Sequence, residues 1–211
     1  MMPGNSSSTL IETFEVVHGV LQRIDLHHKR MCRSGHKHGF CPPSLQEVTS
    51  AICDLIRRDN LSEHPSLRCT VEYRTNIIGC RAIPYRIRDI HALLLIESTD
   101  SIEYADKWSD RTCFDPLSAL CTKGQEPLII RENLLTDTTY TNVVIERNGE
   151  YLTPDRPLLA GTRRQYYLDQ GVIRTADLTI QDTLEADRIH LINAMMPLGA
   201  LTISPENITI I

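Results

Sequence analysis

"LTDTTYTNVVIERNGEYLTPDRPLLAGTRRQ" occupies residues 135–165 and sets the character of the second half of the chain. Asn148-Gly149 separates "NVVIER" from "EYLTP", two runs rich in β-formers. Both residues of that dipeptide tolerate positive φ, so it favours the tight turn of a two-stranded hairpin. With "EPLIIREN" (126–133) before it, the stretch reads as strand, turn, strand, Asn-Gly hairpin, strand. "PLLAGTRRQYYLDQG" then reads as a loop whose glycine, Gly161, opens a helix that stops at Gly171. Further on, "DLTIQDTLEADRIHLINA" (177–194) reads as a short helix feeding a strand.

Working back toward the amino terminus, "LIETFEVV" (10–17) alternates, and His18-Gly19 turns it into "VLQRIDL", a hairpin pattern. "HHKRMCRSGHKHGF" (27–40) reads as a short helix that frays into a glycine-containing loop. Ser44 follows Pro42-Pro43 and has Glu47 three residues on, a capping-box signature. Leu45, Val48, Ile52, Leu55 and Ile56 then recur at helical spacing. "LRCTVEYR" (67–74), "CRAIPYRIR" (80–88) and "IHALLLIES" (90–98) read as strands. Strands and helices mix without regular βαβ alternation, so the class is α+β. The Ser-Thr-Asp stretch near 98–101 is the expected junction between two domains, 1–100 and 101–211.

The 211 residues suffice to bury a core, and 41% apolar with 23% charged residues is the balance of a soluble globular protein. No apolar run approaches a membrane span, and "MMPGNSSST" has neither a basic nor an apolar signal region. A formal charge of −5 argues against nucleic acid as a partner. Seven cysteines between Cys32 and Cys121, an odd number without regular pairing, read as reduced thiols. The expected location is cytoplasmic.

Two clusters carry candidate chemistry. Cys32, His36, His38 and Cys41 are zinc-ligand types within ten positions, but structural sites put a second ligand pair at a distance. The preferred reading is a solvated basic loop between two helices, with no metal. The other cluster is "SIEYADKWSDR" (101–111), which holds Lys107, one of four lysines among 22 basic residues. Lys107 is next to the chain's single tryptophan, Trp108, and a lysine beside apolar groups and a second cation can lose its proton near neutral pH.

Four segments together resemble the class IV aminotransferase family of pyridoxal-phosphate enzymes, with its two-domain α+β fold of the D-amino-acid aminotransferase type. "IETFEVVHGVLQRIDLHHKRMCRS" is similar to the family's opening hairpin and His-x-x-Arg helix, and "YADKWSDR" to the segment bearing the Schiff-base lysine. Residues 135–165 resemble the acid, the asparagine-containing strand, the hairpin and the phosphate loop, and "DLTIQDTLEADRIHLINAM" the closing helix and strand. The resemblance implies that Lys107 carries pyridoxal 5'-phosphate covalently and moves the α-proton of the substrate. It also implies that Asp137, five residues before Asn142, partners the ring nitrogen, where the family has a glutamate. Arg30, the Gly161, Thr162 and Arg163 loop, and Asn193-Ala194 correspond to the phosphate side. Ala194 stands where the family usually has a hydroxyl, and Arg163 where it often has Ile or Thr. The chain begins almost at the first family strand, a shortened amino terminus relative to the usual member.

Arg111, four residues after Lys107, makes the pattern more like the aminodeoxychorismate lyase branch than the branched-chain transaminases. That resemblance implies 4-aminobenzoate and pyruvate as products, a step of folate synthesis, with Arg111 near the substrate carboxylates. The alternatives are a branched-chain or D-amino-acid aminotransferase and, from another class, a cofactor-binding but catalytically vestigial homologue. The family resemblance further implies a homodimer acting on an amino-acid-like small molecule, with no membrane partner.

Overall fold

The computed structural model describes residues 9–98, 102 and 104–211. They form two units: Met1–Arg86 with Asp106–Arg111, and Ile87–Ala105 with Thr112–Ile211.

The first unit contains β1 (Leu10–Val17), β2 (Val20–Leu21), α1 (Ile24–Lys37), α2 (Leu45–Arg58), β3 (Ser66–Tyr73) and β4 (Ile77–Pro84). Its antiparallel sheet runs β2-β1-β3-β4. His18 and Gly19 have φ of 46° and 78°, as the expected hairpin turn requires. Alternation along β1 and β3 sends Leu10, Phe14, Val16, Leu67, Cys69, Val71 and Tyr73 into one core. Met31 of α1 and Val48, Ile52, Leu55 and Ile56 of α2 complete it. α2 starts at the capping box read from the sequence, with Glu47 N donating to Ser44 Oγ (3.2 Å) and Ser44 N to Glu47 Oε2 (2.7 Å).

α1 departs from the expectation of a short, fraying helix, because it continues through Lys37. Gly35 allows this: a Cβ there would stand 2.6 Å from Phe40 O and 2.8 Å from Pro42 Cδ, so only glycine lets residues 40–42 fold back over the last turn. Cys32 and His36 therefore lie on a helix rather than in a loop.

Residues 107–109 add a short antiparallel segment to this unit. β2 pairs only with Val16 and Val17, and at the other end of β1 Ile11 N donates to Lys107 O (2.9 Å). Leu10 bridges Trp108, and Ser109 N donates to Thr9 O (2.9 Å).

The second unit contains β5 (Ala92–Glu97), α3 (Asp115–Ser118), β6 (Gln125–Arg131), β7 (Leu134–Thr138), β8 (Asn142–Arg147) and β9 (Glu150–Pro154). α4 (Thr162–Asp169), β10 (Arg174–Ala176), α5 (Ile180–Leu184), β11 (Arg188–Ile192), β12 (Thr202–Ile203) and β13 (Ile208–Ile210) follow. The sheet order is β10-β9-β8-β7-β6-β5-β13, with β11 against β8 and β12 against β11. Asn148 (φ 52°) and Gly149 (φ 77°) make the expected hairpin turn. The run 134–147, expected as one strand, is two. Residues 139–141 turn the chain without glycine or proline, because Thr138 Oγ1 accepts from Thr141 N (3.0 Å) and Glu126 accepts from Thr139 N (3.2 Å).

The architecture is α+β, as the pattern indicated. The division between units differs from a cut at residue 100. Hydrogen bonds to β1 tie 107–109 to the first unit, whereas Ala92–Glu97 pairs in parallel with β6 in the second. Residues 99–101 of the expected junction lie outside the described residues. Among the described residues no helix is long and apolar enough to cross a membrane.

Candidate active site

The first unit holds a buried polar cluster around Lys107. Glu12 occupies an inward position of β1, between Leu10 and Phe14, and has no exposed surface. Its Oε1 accepts from Arg30 Nε (2.7 Å), and its Oε2 from Arg30 Nη2 (2.6 Å) and His27 Nδ1 (2.7 Å). Helical spacing of three puts His27 and Arg30 on the same face of α1. Burial would raise the Glu12 carboxyl, but Arg30 and His27 outweigh it and hold it well below the usual range. Burial pulls His27 down to about 4, so its neutral ring donates from Nδ1.

Desolvation also pulls the Lys107 amine down to about 7. Arg30, Arg111 and Arg68 push the same way, and Glu12 opposes them. The amine is thus half neutral near pH 7, as carbonyl chemistry requires. The structure places Lys107, Arg30 and Arg111 in one unit with His27, the histidine of the His-x-x-Arg helix, and adds Glu12 and Arg68, which the sequence reading passed over. An acid at an inward position of an alternating strand was the available signal for Glu12. Arg30 is buried and ion-paired rather than a surface charge.

The second unit brings together the other expected residues. Asp137 and Asn142 face each other across β7 and β8. Asp137 Oδ1 accepts from Asn142 Nδ2 (2.8 Å) and Oδ2 from Leu159 N (2.9 Å), while Asn142 Nδ2 also donates to Leu159 O (2.9 Å). A Cβ on Gly161 would stand 1.9 Å from Asn142 Oδ1, so glycine is needed to close this link. Burial pushes Asp137 up to about 7, against the downward pull of the Leu159 amide, Asn142 and the Arg164 charge. Asn142 Nδ2 and Leu159 N are neutral donors to this carboxylate, a setting that a cationic ring nitrogen would complete.

Gly161 precedes α4, whose first residues Thr162 and Arg163 lie at the positive end of its dipole. The Arg163 side chain turns to the loop after β11, donating from Nε to Asn193 O (2.9 Å) and from Nη2 to Ala194 O (2.8 Å). Asn193 Oδ1 accepts from Met195 N (2.8 Å) and Met196 N (3.1 Å), which shapes that loop. Arg164 is buried, donating to Pro154 O (2.7 Å). Within the second unit this donor set fits a phosphorylated ring bearing a basic nitrogen.

Of the metal-type residues, His38 Nε2 meets Asp106 Oδ2 (2.9 Å), and Cys32 and Cys41 are exposed. Among the described residues no three His, Cys, Asp or Glu side chains are placed to hold a metal ion.

The family model for amino-transferase class IV matches residues 117–202. An uncharacterized protein of Haemophilus influenzae is 30% identical over 186 residues, 88% of this chain and 97% of that one. A Haemophilus somnus protein that carries the provisional name 4-amino-4-deoxychorismate lyase has a crystal structure with a TM-score of 0.76. It is 27% identical, with 91% of this chain and 98% of that chain covered. The pyridoxal-phosphate-bound form of a hypothetical aminotransferase from Mycobacterium tuberculosis shares the fold at TM-score 0.73. Identity there is 17%, over 92% of this chain and 78% of that one. The two Haemophilus chains are each covered nearly end to end.

Proposed function

The chain belongs to the amino-transferase class IV family, and from that premise we propose that it is a pyridoxal-phosphate enzyme of the aminodeoxychorismate lyase kind. The observation that carries the reading is the Lys107 amine, drawn down to about 7 within a cluster of three arginines. Such a surrounding suits an amine nucleophile and a substrate rich in carboxylates.

When bound, pyridoxal phosphate supplies an electron sink for the bond cleaved at the substrate's α-carbon. Lys107 would hold it covalently, and the Lys107 Nζ, once free, would accept the α-proton of the substrate. The Asp137 carboxylate, held in place by Asn142 and Leu159, would keep a proton on the ring nitrogen. Gly161 and the Thr162 and Arg163 amides, with Asn193 and Ala194, form the phosphate side, and Arg30 supplies a further cation. Arg111 pairs with a substrate carboxylate. The proposed assembly is a homodimer in the cytoplasm, for which molar mass in solution and fractionation are the checks.

The deciding assay offers the purified protein two substrate classes. With aminodeoxychorismate, pyruvate and 4-aminobenzoate should form without any 2-oxo acid. Turnover of leucine, valine or D-alanine that requires 2-oxoglutarate or pyruvate, with aminodeoxychorismate inert, would make the protein a transaminase. Inertness toward both, with cofactor bound, would make it a vestigial homologue.

A further inference from the structure

Beside Lys107 lies a second polar cluster that the reaction chemistry does not use. Asp106, the residue before it, is 6% exposed, yet its carboxylate takes three side-chain donors. Ser34 Oγ donates to Oδ1 (2.7 Å), and Lys37 Nζ (2.7 Å) and His38 Nε2 (2.9 Å) meet Oδ2. All three come from the last turn of α1 and its C-cap. The His38 ring also lies 4.8 Å from the ring of Trp108, the residue after Lys107. One imidazole therefore grips both chain neighbours of the amine. The Lys107 carbonyl is meanwhile held by Ile11 N of β1.

We propose that Asp106 and His38 form a clasp that positions Lys107, locking its backbone between the end of α1 and the start of β1. The inference rests on Lys107 being the reactive amine. α1 also carries His27 and Arg30, and β1 carries Glu12, so the clasp and the amine's electrostatic surroundings share two elements. Fixing residue 106 on α1 and residue 107 on β1 leaves the Lys107 side chain as the flexible part. Its Nζ then has to emerge beside Arg30 and Glu12. The carboxylate suits this task because burial, which would raise it, is outweighed by hydrogen bonds from Lys37, Ser34 and His38, and it stays ionised below the usual range. Asp106 and His38 act through Lys107 and touch no reacting atom, so they are positioning residues.

The test reads the amine itself in the full-length chain, freed of carbonyl groups by dialysis against hydroxylamine. Acetic anhydride is applied at limiting dose across pH 6–10, and acetylation of Lys107, Lys29 and Lys123 is followed by peptide mass spectrometry. In the unaltered chain Lys107 should react fastest near neutral pH. In Asp106→Ala its labelling at pH 7.5 should fall at least about tenfold, toward that of an ordinary lysine, while Lys29 and Lys123 stay constant. His38→Phe keeps a ring against Trp108 but loses the hydrogen bond, and should give a smaller fall in the same direction. It serves as the measure if Asp106→Ala does not fold, judged by circular dichroism. Unchanged Lys107 labelling in a folded variant, with fast labelling in the unaltered chain, overturns the clasp alone. Lys107 labelling like Lys29 in the unaltered chain overturns the reading of the amine, and the clasp with it.

Discussion

At pH 8 an amine that titrates near 7 is neutral about ten times more often than it is charged, whereas an ordinary lysine is almost wholly charged. Borohydride treatment of the protein with pyridoxal phosphate should therefore leave the cofactor mass on the Lys107 peptide alone, and Lys107→Ala should abolish both trapping and turnover. Asp137→Asn tests the other end of the chemistry. An asparagine there can accept from Leu159 N or from Asn142 Nδ2 but not from both, so a stability loss of about 1–3 kcal/mol is expected, measured by urea unfolding. Turnover should fall by about 100-fold or more while cofactor affinity changes less, because a neutral amide does not hold the ring nitrogen protonated. The order of the motifs pointed to Asp137, Asn142, Gly161 and Lys107 in the sequence. Asp106 gave no such signal, since it resembles an ordinary surface acid until the helix packed against it is known, and Glu12 showed only as an acid at an inward position of an alternating strand. Arg163 was read as a phosphate ligand through its backbone amide; its side chain, which stands where the family often has Ile or Thr, bonds two carbonyls of the loop after β11.

Elements bear out a simple rule: turns made by special backbone residues could be read, and turns made by side chains could not. Asn148-Gly149, His18-Gly19 and the Ser44 capping box announce themselves through residue types with local conformational reasons to be there. The break at 139–141 rests on threonine hydroxyls and on Glu126, which comes from another strand, so no window of neighbouring residues contains it. The same distinction explains α1, whose length depends on Gly35 meeting residues 40–42. β12 and β13 also went unread, because their short strands exist only through pairing with β11 and β5. Two substitutions test these elements. Ser44→Ala removes the cap of α2 and should cost about 1 kcal/mol by urea unfolding without changing activity. Gly161→Ala is expected to be far more damaging to function than to helix α4, since its Cβ would meet Asn142 Oδ1 and dislodge the amide that holds Asp137. Its readout is a weakened cofactor spectrum at unchanged helix content.

Over the whole molecule, Lys107 and Asp137 give the cofactor-free chain an unusual pH response. Lys107 titrates near 7 when folded rather than at 10.5, so between these values the unfolded chain binds more protons and stability rises with pH. Its destabilising effect is complete below about pH 7. Asp137 titrates near 7 rather than at 3.8, so the folded chain binds more protons in that window and stability falls as pH rises through it. Its effect is complete above about pH 7. The two overlap most near neutrality, and a ligand that uses a neutral amine and supplies a cation to the carboxylate relieves both. The rise in Tm on adding pyridoxal phosphate should therefore peak near pH 7 and shrink toward pH 5 and pH 9, as differential scanning fluorimetry would read. The peak should vanish in Asp137→Asn combined with Lys107→Ala. The division of the chain into units carries a different consequence. Because the first unit is Met1–Arg86 plus Asp106–Arg111, the polypeptide leaves it, returns and leaves again. A gene cut after codon 86 would yield a fragment lacking the 107–109 segment that is hydrogen-bonded to the start of β1, and the amine itself. Recombination between homologous genes can therefore exchange this unit intact only when no crossover falls between codons 1 and 111, and such an exchange also carries residues 87–105 of the second unit.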